Sequence, residues 1–228
     1  MDVNVKTASP LDRTEFGCLV DRMARDITDA AIFRKLHADL SESVNGYWRE
    51  FNQSQTFWYL SFHAYAEIAL HRLSRIYVGH DGALSLGSWL QSIKNNPQLF
   101  PAQPDASRLD EDIHSAASDP VVKKLVALRG SFVAHINWRN VAENLRLGDR
   151  FALSLEDIDL LISRAVEILN RYSVLFKQTS WSTVISGGDD FRILLRAVRC
   201  DLQRMDAEVA DQIQRAKRAE SAGPDEDR

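Results

Sequence analysis

The sequence predicts an all-α protein, on three observations. Apolar residues recur at three- and four-residue intervals through nearly every segment. No stretch alternates apolar with polar residues as a half-buried strand does. Helix starts are marked by caps, most clearly Asp119-Pro120 and Ser154-Leu155-Glu156-Asp157. At 228 residues the chain can bury a sizeable core, and one domain over residues 1–219 is expected.

In order along the chain, Leu11, Phe16, Val20, Met23 and Ile27 form a first amphipathic stripe. Ile32, Leu36 and Leu40 continue it into a second helix running toward Trp48. Gln55 to Tyr77 is a long helix whose aromatic density (Phe57, Trp58, Tyr59, Phe62, Tyr65) predicts a central place in the core. A turn at Val78–Gly82 precedes a short helix capped by Ser85 and carrying Leu86, Trp89, Leu90 and Ile93. Pro97, Pro101 and Pro104 mark a loop, and residues 107–118 a weak acidic helix.

The helix started by Asp119-Pro120 carries Val121, Leu125, Leu128 and Phe132 and is expected to end near His135. A polar connection over 137–153 leads to the helix capped by Ser154, with Ile158, Leu161, Ala165, Leu169, Tyr172 and Phe176 on its apolar face. A Ser/Thr/Gly-rich break at 179–188 separates it from a last helix, about 189–219. There Phe191, Leu195, Val198, Leu202, Met205 and Val209 alternate spacings of four and three. Such a seam docks on its own bundle or on a second chain. Residues 220–228 are expected to be a disordered tail.

A net charge of −4 argues against non-specific coating of nucleic acid and leaves room for one cationic cleft. Arginine outnumbers lysine 21 to 7, which suits bidentate phosphate contacts. Two cysteines, Cys18 and Cys200, give no disulfide framework. No leader-like segment and no apolar run of about 18 residues is present, so a cytoplasmic protein that does not cross a membrane is expected.

Arg129 and His135 stand six positions apart at the end of the helix that Asp119 caps. A permanent planar cation and a side chain that titrates near neutrality are a minimal kit for cutting a phosphodiester without a metal. The pattern alone is weak, since about 1.7 chance matches are expected with six histidines at this arginine frequency. Three occur: Arg75 with His80, Arg108 with His114, and Arg129 with His135. The first straddles a glycine turn and the second lies in a polar segment, so both are expected to be poorly fixed. Only the third rides on a capped, apolar-faced helix. Six helical residues separate the two side chains by roughly 120° and about 9 Å along the axis. One chain therefore does not close the site, whereas two copies around a two-fold axis would. The plainer alternative makes Arg129 a carboxylate partner and His135 a helix-end cap.

Leu128-Arg129 through Ala134-His135-Ile136-Asn137 resembles the signature of HEPN domains (higher eukaryotes and prokaryotes nucleotide-binding). Leu73-Ser74-Arg75-Ile76-Tyr77, Leu84-Ser85-Leu86, Leu153 to Ile158 and Ile168 to Tyr172 are similar to the abortive-infection, AbiU-like branch. The resemblance covers about residues 30–178 and excludes the last helix. It implies a HEPN-like helical bundle extended by a long C-terminal helix. It also implies a metal-independent endoribonuclease of a toxin–antitoxin or abortive-infection defence system, with no cofactor. The expected partners are an RNA substrate, a second copy in a homodimer, and an antitoxin or another defence-system protein. Arg129 and His135 would be the catalytic pair, with Ser131, Asn137, Lys123 and Arg139 supporting them or guiding the RNA backbone. The family residue after the arginine is usually polar, and here it is Gly130. Glycine in a helix costs up to about 1 kcal/mol relative to alanine and brings no polar group. That departure keeps open a non-catalytic nucleotide- or protein-binding domain.

His63, Glu67 and His71 share one helical face at four-residue spacing. One helix cannot complete a coordination sphere, and no second cluster of ligands stands out. Solvated charge pairing along the helix is the simpler reading, so no metal is expected.

Overall fold

The first helix, α1 (Arg13–Ser43), runs 31 residues without a break in a computed structural model that describes residues 11–79, 82–128, 153–184 and 188–221. It joins the two helices expected before Trp48 into one. The apolar stripe steps by five residues between Ile27 and Ile32, which reads as an interruption in the sequence. No proline falls within α1, so the backbone continues while the buried face rotates. Then follow α2 (Trp48–Asn52), α3 (Gln55–Tyr77), α4 (Leu86–Asn95), a 3-10 turn (Pro97–Leu99), α5 (Ala106–Ser118), α6 (Pro120–Leu128), α7 (Leu155–Lys177) and α8 (Asp190–Ser221). Among the described residues there is no strand, and the protein is all-α with a long C-terminal helix. No helix among them is long and apolar enough to cross a membrane.

The described residues group into two units. The first draws on Met1–Arg34 and Tyr65–Ile185. Its core gathers Phe16, Val20 and Ile27 of α1, Leu73 and Ile76 of α3, Trp89 of α4, Leu125 of α6, and Leu161, Leu169 and Tyr172 of α7. Phe16 packs edge-on against Phe176 and Phe100, with ring centroids 4.8 and 5.4 Å apart. Arg13 donates to the carbonyls of Leu99 and Phe176 at 3.2 and 3.1 Å, tying the start of α1 to the end of α7. Ser85 caps α4 by accepting from the Ser88 amide, and the Ser88 hydroxyl accepts from the Ser85 amide. α7 ends on Gln178 at φ 52°, a left-handed stop. Asn170 then brackets Trp181, donating to its carbonyl and accepting from its amide.

The second unit draws on Lys35–Ala64 and Ser186–Arg228. Leu40, Phe51, Trp58 and Leu195 are its buried apolar residues. Glu50 is buried and receives Arg199 Nε at 2.5 Å, while Arg49 grips Asp206 with two bonds of 2.8 and 3.0 Å. The Arg199 guanidinium also lies 4.1 Å from the Tyr47 ring centroid.

The start of α3 is not central to a core. Trp58 is buried, but Phe57, Tyr59 and Leu60 are more than half exposed. Consecutive aromatics point around the whole circumference of a helix, so one packing face takes only some of them. Burial returns at the far end, with Ala69, Leu73, Ile76 and Tyr77.

Candidate active site

Asp119 builds the approach to the candidate site. Its side chain accepts from the Val121 amide at 2.7 Å, and its backbone carbonyl accepts from the Lys123 amide at 3.0 Å. Arg164 of α7 sits 3.0 Å from the same carboxylate. Val122 and Leu125 are buried in the core with Leu161 and Ala165. One turn on, Lys124 donates to Asp157 at 2.9 Å, and Asp157 closes the capping box of α7 with Ser154. The Lys124 ammonium and the Ser154 amide hold the Asp157 carboxyl below the ordinary carboxylate range. α6 is thus fixed to α7 by apolar contact and two ion pairs. Tyr77 adds a strut from α3, its hydroxyl donating to the Leu161 carbonyl at 2.7 Å, and burial raises its pKa.

α6 is described to Leu128, the residue before Arg129. Arg129, Ser131, His135, Asn137 and Arg139 lie outside the described residues, as does the helix end expected near His135. Lys123 is described, is exposed, and makes no ion pair among the described residues. Lys124, which also flanks the motif, is committed to Asp157.

Of the other two arginines of the pattern, Arg75 is held at a buried carboxylate, contrary to expectation, whereas Arg108 stays half-exposed. Arg75 lies 3.1 Å from the buried carboxylate of Asp26, where Arg72 also donates at 2.9 Å and Arg22 approaches to 3.5 Å. Arg108 bonds Glu111 at 2.9 Å and approaches Asp112 to 3.6 Å. Asp112 is buried and also accepts from Arg171 and, at 2.8 Å, from the Tyr172 hydroxyl. Burial works against the charge of Arg171, but the bond to Asp112 prevails and raises its pKa. Sequence reasoning missed both carboxylate hubs. One turn from each lie charged or polar residues, Arg22 and Asp29 on α1 and Arg108 and Ser115 on α5, so the sequence does not set Asp26 and Asp112 apart from surface acids.

The His63, Glu67 and His71 triplet is solvent-facing. All three residues are exposed, and the His63 ring lies 4.3 Å from that of Tyr59. Glu67 and His71 line an open groove of about 830 Å³ with Phe33, Arg72 and Arg75. Among the described residues no three His, Cys, Asp or Glu side chains gather as metal ligands.

A family model described as HEPN_AbiU2, AbiU2, matches residues 14–191. No curated protein and no solved structure matches the chain.

Proposed function

The chain belongs to the HEPN_AbiU2 family, and from that premise we propose that it is a metal-independent endoribonuclease of an abortive-infection or toxin–antitoxin defence system. The observation that supports this reading most is the extent of the family match. It runs through Arg129 and His135 and through the helices that lead to and from them. The fixed seat of α6 on α7 adds to it, because a catalytic group needs rigid support.

In this reading two copies meet so that Arg129 and His135 of each surround one groove. One imidazole takes the proton of a ribose 2′-hydroxyl as its oxygen attacks the adjacent phosphorus. A protonated imidazole gives a proton to the departing 5′-oxygen. The products are a 2′,3′-cyclic phosphate and a 5′-hydroxyl. Arg129 holds the phosphate and offsets the charge that gathers on its equatorial oxygens. Asn137 orients the imidazole or a sugar, Ser131 supplies a hydroxyl beside Gly130, and Lys123 and Arg139 guide the RNA backbone. An antitoxin or another defence-system protein holds the activity in check.

The test is cleavage of RNA by the purified full-length protein in the presence of a chelator. The expected outcome is cyclic-phosphate ends, with the rate reduced about 100-fold or more in His135→Ala and Arg129→Ala proteins that keep their helical content. Equal rates in either variant overturn the site. A second reading, a non-catalytic nucleotide- or protein-binding domain, is favoured by Gly130 where the family pattern is polar. A wild-type protein that binds RNA or nucleotide without cutting RNA selects it.

A further inference from the structure

Asp26 lies beneath more positive charge than it balances. Arg22, Arg72 and Arg75 all come within 3.5 Å of its carboxylate, and Asp29, 3.2 Å from Arg72, is the second acid of the cluster. Three guanidinium groups therefore share two carboxylates, a local positive excess in a chain whose net charge is −4. Arg25, one turn from Arg22 and Asp29 on the same side of α1, is exposed and makes no ion pair among the described residues.

Two of these arginines border open space. Arg72 and Arg75, at 27 and 36% side-chain exposure, line the groove of about 830 Å³ with Phe33, Ile68 and the exposed His71. Glu67 is the one acid among the described residues that line it. Arg75 commits its Nη2 to Asp26 at 3.1 Å, while its Nε and Nη1 make no bond among the described residues. A guanidinium anchored at one nitrogen by a buried carboxylate loses little further freedom when its other donors bind an anion.

The ring beside these cations points to the occupant. A single strand of nucleic acid is recognised by guanidinium forks on its phosphates and by aromatic rings on which its bases stack. Phe33 supplies such a ring, half-buried and 6.0 Å from that of Tyr65. An acidic polypeptide would meet the arginines but brings no flat base to the ring.

We propose that the groove of Phe33, Arg72 and Arg75 is an RNA-binding site, holding the strand away from the bond to be cut. The identity of the occupant rests on the nuclease reading, but the groove uses neither Arg129 nor His135.

The experiment is fluorescence anisotropy of a labelled single-stranded RNA of about 16 nucleotides with the full-length protein. All variants are made in the His135→Ala background, which keeps the strand whole, and circular dichroism checks the fold of each. Arg75→Ala should weaken binding about 10-fold and reduce the slope of log affinity against log salt by about 0.7, one phosphate contact on a single strand. His71→Glu and Glu67→Lys change exposed groups and leave the Asp26 cluster whole. They should respectively weaken and tighten binding by about 3-fold. Glu42→Lys, about 24 Å from Asp26 along α1, is the control for charge alone and should shift affinity less than about 2-fold. Unchanged affinity in Arg75→Ala or His71→Glu overturns the site, as does a Glu67→Lys effect no larger than that of Glu42→Lys. Tighter binding of poly-glutamate than of the RNA selects an acidic protein segment and also overturns it. The nuclease reading fails on cleavage rates instead, so the two failures are distinguishable.

Discussion

Asp112 shows what a single buried carboxylate does in this fold. It is 4% exposed, and it binds the Arg171 guanidinium and the Tyr172 hydroxyl from α7 and draws Arg108 from its own helix. Burial and the Asp112 carboxylate together raise the Tyr172 pKa, so the phenol stays a donor at any working pH. Removing the carboxylate leaves one cation and one hydroxyl at the core edge without their acceptor. Asp112→Ala is therefore expected to cost about 2–3 kcal/mol, with Arg171 retaining partial hydration. Urea unfolding measures it, and a change within 0.5 kcal/mol would show the hub to be dispensable. Asp26 plays the equivalent part between α1 and α3, with Arg72 and Arg75 as its partners.

At the scale of elements, α7 is the scaffold that seats α6. Its start depends on Ser154, whose hydroxyl accepts from the Asp157 amide at 3.1 Å. Ser154→Ala removes that bond and is expected to lower stability by about 1 kcal/mol, read as a shift of the urea midpoint at constant slope. Most of this element was legible beforehand. The cap, the acidic third position and the apolar period all agreed on where α7 begins, and local signals of that kind act over one turn. α3 was bounded correctly at Gln55 and Tyr77, yet its aromatic first half is mostly outside the core. Periodicity reports that a helix has apolar surface; it does not report which neighbour arrives to cover it. The same gap explains α1, where the apolar pattern predicts two helices and the chain forms one that serves two units.

For the whole molecule, acid is the lever that reaches both units at once. The Asp157 carboxyl is held low by Lys124 and the Ser154 amide, Glu50 by Arg199, and Asp206 by Arg49. A carboxylate whose folded pKa lies below its unfolded value adds stability above the unfolded pKa and loses it as pH falls through the folded one. Unfolding free energy should accordingly be level near neutrality and decline as pH drops through and below the ordinary carboxylate range. Thermal melts from pH 7 to pH 3 check this. A midpoint that rises on acidification would contradict the three pairings.

The sequence by itself determined the all-α class, most helix boundaries and the caps at Ser85, Asp119 and Ser154. These are properties of neighbours in the chain, set by sterics and by hydrogen bonds within a turn. Only the tertiary structure decided that Asp26 and Asp112 gather arginines from distant helices, that α6 is pinned to α7 by Lys124 and Arg164, and that the seam of α8 is buried at Leu195 but bare at Val209. Those outcomes depend on which faces meet across tens to over a hundred residues, where burial fixes the strength of each charge and local pattern carries no record of it.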